Sequence, residues 1–129
     1  MGMDLRRGDD VISISIFSWA RAYAFAIEGG WDPLGTLPPE HLTEEEKANW
    51  PGTYDSNEDQ IITAEDALLM AFALEKMLQT LEETVETVDR GSSLWGGYDQ
   101  PRDYFAPEGK RKLLEALIRF LKGGACKIT

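Results

Sequence analysis

The sequence predicts an α+β fold in a single domain, residues 1–129, in which three helices pack with a small sheet. Two periodic stretches lead to this prediction. Residues 11–16 alternate apolar and polar side chains, which is typical of a half-buried strand. Residues 63–88 instead repeat apolar side chains every three or four positions, as an amphipathic helix does. A chain of 129 residues is long enough to enclose a hydrophobic core.

Composition and charge narrow the classes of partner. Hydrophobic residues make up 43% of the chain, and 23 acidic against 13 basic residues give a formal charge of -10. This charge repels the phosphates of nucleic acids and anionic membrane surfaces, so neither is expected as a partner. A protein partner, basic in character, or a second copy of the chain is expected instead. Because the N-terminal stretch has no apolar core of a signal peptide and no apolar run approaches ~20 residues, a cytoplasmic location is expected.

The first strand and helix are predicted from their spacing and end signals. The strand covers residues 11–17, and the helix covers residues 19–28, with Ser18 as the N-cap and Gly29 at the C-terminal end. The face of the helix predicted to point inward consists of Ala20, Tyr23, Ala24 and Ile27.

A long connection follows over residues 31–52 and contains four of the six prolines. The capping-box spacing of Thr43 and Glu46 predicts a one-turn helix within it. Its tryptophans, Trp31 and Trp50, either fasten the loop to the core or form an exposed binding surface. Both interpretations remain open from the sequence.

The central part of the chain is interpreted as a hairpin followed by the longest helix. Residues 53–62 contain two short extended stretches around a turn rich in Asp, Ser and Asn. The helix over residues 63–88 starts at Thr63, which Asp66 can cap from the third helical position. Its predicted core stripe is Ala67, Met70, Ala71, Leu74, Met77, Leu78, Leu81, Val85 and Val88.

The last third of the chain combines a second aromatic loop with a closing helix. Trp95 and Tyr98 lie in an irregular region and join Trp31 and Trp50 as candidates for a binding surface. A helix is predicted over residues 107–122, and residues 125–128 are expected to add a strand to the sheet. The lone cysteine, Cys126, falls in this strand and is expected to be buried.

One stretch has the spacing of a calcium loop. In DSNEDQIITAED, residues 55–66, side-chain oxygens stand at positions 1, 3, 5 and 12, which are occupied by Asp55, Asn57, Asp59 and Asp66. Calcium prefers such a set of hard oxygen ligands. The position of the tight turn is held by Gln60, where calcium loops have glycine. A hairpin with a capped helix explains the same residues without a metal.

Two resemblances follow from these motifs. Residues 55–66 resemble the loop-helix half of a dockerin module. The combination of GWDPLGT at 30–36, YDSNEDQ at 54–60, TAEDA at 63–67 and RFLKGGACKI at 119–128 resembles a group of small uncharacterised bacterial proteins. In the pattern of that group, glycine stands where this chain has Asp59 and a nonacidic residue where it has Asp55. The resemblance implies a self-contained bacterial domain and no particular activity.

No catalytic or cofactor-binding residue is predicted. His41 is the only histidine, and the glycine pairs do not match the nucleotide-binding patterns. The expected function is therefore a noncatalytic protein-interaction or binding module. Two alternatives stay open: a calcium-stabilised module that uses the 55–66 loop, and a small acidic inhibitor or immunity-type protein that binds a basic partner.

Overall fold

The computed structural model describes residues 2–84 and 101–129 and confirms the α+β class. The strands are β1 (Gly2–Arg7), β2 (Asp10–Ser15), β3 (Gln60–Ile62) and β4 (Cys126–Ile128). The helices are α1 (Ile16–Glu28), α2 (Glu44–Ala48), α3 (Ala64–Thr84), α4 (Pro101–Tyr104) and α5 (Glu108–Lys122). The predicted count of three helices is wrong, because short helices α2 and α4 accompany the three long ones.

The four strands form one antiparallel sheet in the order β2-β1-β4-β3. Strand β1 was not predicted, since Met3 and Leu5 are its only large apolar residues. The turn signal was present in the sequence: Gly8 and Asp9 join β1 to β2, and Gly8 has a φ of 61°. Glycine takes this conformation freely at the first central position of a two-residue hairpin turn.

The boundary between β2 and α1 lies three residues earlier than predicted. Ser15, and not Ser18, is the N-cap of α1, because the Ser15 Oγ accepts a hydrogen bond from the Ser18 amide at 3.1 Å. The helix therefore starts at Ile16. The strand correspondingly ends at Ser15 and not at residue 17.

The buried face of α1 also differs from the predicted one. Its buried residues are Ser18, Trp19, Ala22, Phe25 and Ala26, so Ala20 and Ile27 point outward. Alanine spacing alone did not distinguish the two faces. The inward face of α1 is thus rotated about the helix axis relative to the predicted face, and Ala20 lies at the surface.

Strand β3 forms as predicted, but the predicted 53–62 hairpin is wrong. Ile61 pairs with Lys127 of β4 on one side and forms an isolated bridge with Leu37 on the other. Residues 53–54 are not a strand. The reason is that Tyr54 is buried and the backbone around it serves side-chain hydrogen bonds, described below.

The core lies between the inner face of the sheet and helices α1, α3 and α5. The predicted stripe of α3 is confirmed from Ala67 to Leu81, while Val85 and Val88 lie outside the described residues. Helix α5 contributes the buried residues Leu114, Leu117, Ile118 and Leu121. Within the described residues, no helix is long and apolar enough to cross a membrane.

The sequence predicted only one of the two short helices. Helix α2 has the expected capping box, in which Thr43 and Glu46 exchange hydrogen bonds. Helix α4 was missed within the aromatic loop. Its neighbour Phe105 is fully buried and stacks on Phe25 of α1 with ring centroids 5.7 Å apart, so packing holds this segment.

Because α1 approaches α3 closely at Gly29, a larger side chain at this position is expected to destabilise the fold. A Cβ at Gly29 would lie 2.6 Å from the Ala73 carbonyl oxygen and 2.9 Å from the Met77 Cγ. We expect Gly29→Ala to lower the free energy of unfolding by about 1–3 kcal/mol, as overpacking does. The measurement is urea unfolding followed by circular dichroism.

Gly109 in α5 is the matched control, because no atom lies within 4 Å of a Cβ built there. Gly109→Ala should be neutral or stabilise by up to about 1 kcal/mol through helix propensity. Equal effects of the two substitutions would contradict the proposed α1–α3 contact.

Candidate functional site

A groove of about 610 Å³ lies along the outer side of α1. Residues 33–35 form one wall and residues 51–55 the other. Ile16 and Ala20 are exposed along the helical side. The rotation of α1 thus brings these apolar side chains to the groove and away from the core. We call this feature the α1 groove.

Two members of a cluster of three aromatic rings, Tyr23 and Tyr54, line the base of the groove. Tyr23, Trp31 and Tyr54 contact one another, with every pair of ring centroids between 5.3 and 5.5 Å apart. The edge-to-face and tilted geometries are favourable for aromatic side chains. Trp19 adds to the base, and its indole Nε1 donates to the Tyr54 carbonyl at 2.6 Å. The base is therefore a packed and hydrogen-bonded unit.

A buried carboxylate, Asp66, holds this aromatic unit in place. The Asp66 Oδ1 accepts hydrogen bonds from the Trp31 Nε1 at 3.0 Å and from the Leu34 amide at 3.2 Å. The Asp66 Oδ2 accepts a short hydrogen bond from the Tyr54 hydroxyl. Asp66 is fully buried, and these three hydrogen bonds all come from groups of the protein itself.

The placement of Asp66 lowers the cost of burying its charge. It stands in the first turn of α3, where the positive end of the helix dipole favours an anion. The Asp66 amide donates to the Thr63 Oγ1 at 3.2 Å, so the predicted cap is present from the Thr63 side. The carboxylate, however, bonds Trp31, Leu34 and Tyr54 rather than the Thr63 amide.

Tyr54 connects the buried Asp66 carboxylate to the groove wall through its hydroxyl group. Its hydroxyl donates to Asp66 and accepts from the Gly35 amide at 2.8 Å. Burial raises the pKa of Tyr54 above its ordinary value, and the hydrogen bond to Asp66 and the negative charge of Asp66 raise it further. Tyr54 is therefore a neutral structural donor at physiological pH.

The loop proposed for calcium is organised by the side chain of Gln60. Its Nε2 donates to the Ser56 carbonyl at 2.7 Å and to the Thr53 carbonyl at 3.3 Å, while its Oε1 accepts from the Glu58 amide at 2.8 Å. Gln60 is fully buried. A side-chain amide thus occupies the inner side of the turn and satisfies its backbone groups.

The four proposed calcium ligands are divided between surface and core. Asp55, Asn57 and Asp59 are exposed, whereas Asp66 is buried and accepts three hydrogen bonds. Among the described residues, no group of three or more His, Cys, Asp or Glu side chains is arranged to hold a metal ion. The calcium hypothesis stays a prediction.

Asp59, and not Gln60, takes the strained backbone conformation of this turn. Its φ is 71°, and its amide donates to the Ile128 carbonyl at 2.8 Å. This region is easiest for glycine and accessible to Asp. A glycine at this position would take the same conformation without strain.

The four predicted surface aromatics have different positions. Trp31 is buried with 4% of its surface exposed, and Trp50 is half-buried with its Nε1 bonded to the Thr36 Oγ1 at 3.1 Å. Trp95 and Tyr98 lie outside the described residues. Among the other groove residues, Ala20 was predicted to point inward, and Leu34 and Gly35 lie in the GWDPLGT stretch without a signal that indicates a groove.

A second polar cluster links α1 to α4. The Tyr104 hydroxyl lies 2.6 Å from the Ser18 Oγ and accepts from the Lys110 Nζ at 3.1 Å. Burial raises the pKa of Tyr104, but the hydrogen bonds from Ser18 and Lys110 and the charge of Lys110 outweigh it, so the net pKa is lowered. Ser18 is 2% exposed and does not line the α1 groove. The cluster therefore serves to fasten α4 to α1.

The thiol of Cys126 is buried as expected, and burial raises its pKa to about 11. Since the thiolate is the nucleophilic form, this cysteine is unreactive at neutral pH.

The Asp66 anchor predicts an unequal effect of two isosteric substitutions. Asp66→Asn should lower the free energy of unfolding by about 2–3 kcal/mol, because the charge-assisted bonds are lost and a buried donor is left facing other donors. Asp55→Asn, at an exposed position, should change it by less than about 0.5 kcal/mol. Chemical denaturation of both variants measures the difference.

The Asp55→Asn variant also tests the calcium hypothesis. If the 55–66 loop binds calcium, millimolar calcium raises the melting temperature of the natural chain, since ligand binding to the native state adds to its stability. Asp55→Asn would then remove most of that increase. Identical melting curves in calcium and in EDTA would end the hypothesis.

The raised pKa of Tyr54 predicts a loss of stability at high pH. Below the ordinary value of 10.0 the contribution of Tyr54 is fully present. As the pH rises further, the unfolded chain loses the phenol proton while the folded chain keeps it, so the free energy of unfolding falls. Tyr54→Phe should therefore be less stable than the natural chain at pH 8, and the difference should shrink above pH 10. Tyr23→Phe is the control from the same aromatic unit and should keep the pH dependence of the natural chain.

Comparison of the chain with protein-family models, with curated proteins and with solved structures finds no match. The resemblances to a bacterial group and to half of a dockerin module therefore rest on the quoted motifs alone. The function has to be inferred from the geometry of the site.

Proposed function

We propose that the protein is a noncatalytic interaction module whose α1 groove binds an apolar, positively charged segment of a partner protein. The observation that carries the proposal is the groove itself, which combines apolar walls with a rigid aromatic base. Concave, mostly apolar sites with a few polar groups are the usual form of a binding site.

The charge of the groove wall supports a cationic partner. The segment from residue 32 to residue 59, which supplies most of both walls, contains eight Asp or Glu residues and a single Lys. All eight carboxylate residues are exposed. Asp55 lines the groove itself, and the exposed carboxylates of the segment attract basic side chains and speed their association.

An apolar component of the partner is supported by the exposed side chains along the rim. Leu34 is 56% exposed and lines the α1 groove as well as a shallower depression beside Phe72 of α3, which is 52% exposed. Leu69 adds to this second depression. Contiguous exposed apolar side chains of this kind mark interaction surfaces.

An inhibitor or immunity-type role is a special case of the same geometry. It requires that the cationic segment belong to an enzyme or toxin whose activity falls on binding. The acidic wall favours this class over others without identifying the target.

The proposal predicts different effects for two leucines on the same loop. Leu34 lines the groove, whereas Leu37, 48% exposed, does not. Leu34→Ser should weaken binding of an amphipathic Lys/Leu peptide at least about tenfold, a loss typical of a central contact, while Leu37→Ser should leave binding unchanged. Isothermal titration calorimetry measures both affinities.

The charge contribution is tested by salt. Raising the ionic strength should lower the association rate of the same peptide, because exposed charges are screened. Binding that is equally strong for an Asp/Leu peptide, or equally reduced by both leucine variants, would refute the proposed groove.

A further inference from the structure

We infer that the outer edge of β2 is a self-association surface, on which two copies of the chain pair antiparallel about a two-fold axis and form one eight-stranded sheet. The inference concerns a different surface from the α1 groove walls and does not depend on the proposed function. It rests on the hydrogen bonding, register and exposure of β2.

Strand β2 is the open edge of the sheet. It pairs with β1 along its whole length, and within the described residues no backbone hydrogen bond is formed on its other side. The opposite edge is different: there Leu37 bridges Ile61 through two backbone hydrogen bonds of 2.7 and 3.0 Å. Among the described residues, one edge of this sheet is therefore bridged by Leu37, and the other has no backbone partner.

The register identifies which backbone groups are available. Arg7 and Asp10 close a two-residue hairpin turn and so form a hydrogen-bonded pair, and such pairs recur at every second position. The backbone groups of Val11 and Ser13 therefore point away from β1, as does the Ser15 amide. Asp4, which lies opposite Ser13, forms both of its backbone hydrogen bonds with Thr129 on the other side of β1. This agrees with the alternation.

The edge has few of the features by which proteins prevent unwanted strand pairing. Such edges usually contain Lys, Pro or a bulge. β2 has none of these, and its only charged residue, Asp10, stands at its start. Val11 is 41% exposed, and directly after the strand Ile16 and Phe17 are 40% and 67% exposed.

Antiparallel pairing of β2 with its own copy satisfies these groups. With Ser13 opposite Ser13 of the second copy, Val11 faces Ser15, and four backbone hydrogen bonds can form. Ile12 and Ile14 of both copies stay on the core side, since the register keeps the alternation of faces. The two Asp10 side chains lie at opposite ends, so no carboxylate faces another.

A proline at Ser13 tests the inference, because the amide it removes points outward and is not used within one copy. We expect the natural chain to show twice its mass of 14.5 kDa in sedimentation equilibrium and Ser13→Pro to show the mass of one copy. Ser13→Thr is the matched control; it keeps the amide and a hydroxyl able to bond Asp4, and should remain a dimer.

Amide hydrogen exchange of the natural chain provides an independent readout if Ser13→Pro does not fold. The Val11, Ser13 and Ser15 amides should exchange slowly at dimer-forming concentrations and faster on dilution, while the Ile12 and Ile14 amides stay protected throughout. A single-copy mass of the natural chain at all concentrations, a folded Ser13→Pro dimer, or fast exchange of the three outward amides in the dimer would each overturn the inference.

Discussion

The structure depends on the hydrogen bonds that the buried Asp66 carboxylate accepts. An unpaired carboxylate in the core would cost several kcal/mol, so Asp66 is compatible with folding only when its donors are in place. Those donors come from Trp31, Leu34 and Tyr54, which lie on two separate loops. One side chain at the start of α3 therefore connects both walls of the groove to this helix of the core.

This coupling explains why the long connection is ordered although α2 is its only helix. Tyr54 reaches Gly35 across the groove base, and the chain at Gly52 approaches Gly35 so closely that a Cβ at Gly52 would lie 3.2 Å from the Gly35 Cα. Gln60 satisfies the backbone of the following turn. Because the walls are fixed before a ligand arrives, binding would require little additional ordering, which favours affinity.

The sequence predicted what depends on local periodicity and missed what depends on distant contacts. The α3 stripe, the α5 helix and the cap at Thr43 follow from spacing of three or four residues and were confirmed. The 53–62 hairpin was wrong because the buried Gln60 side chain binds backbone groups of the turn, while Tyr54 is buried and bonded to Asp66 and Gly35. Burial cannot be read from a turn-like composition.

The residues of the candidate site could hardly be predicted from the sequence for the same reason. Asp66 looked like a helix cap or a calcium ligand, since both patterns place a carboxylate at that position. Its actual partners, Trp31 and Leu34, lie 35 and 32 residues away, and no spacing rule connects them. The orientation of α1 decided the rest: alanines on both faces of the helix gave the sequence no means of choosing which one packs inward.

The groove and the open β2 edge adjoin at Ile16, which begins α1 and also lines the groove. A two-fold pairing of β2 strands would therefore place one groove on each side of the dimer axis, with the α1 N-termini near the interface. Two identical grooves held on one rigid sheet would engage a partner with two cationic segments more tightly than either groove alone, provided that the linker between the segments spans the distance.

The acidic loops repel a second copy only over the Debye length, about 8 Å at physiological ionic strength, so their charge opposes the dimer mainly where they lie close to the axis. The same charge acts on the cationic partner at each groove. Self-association through uncharged backbone and partner binding through charge therefore depend on salt in opposite directions, and this difference separates the two surfaces physically.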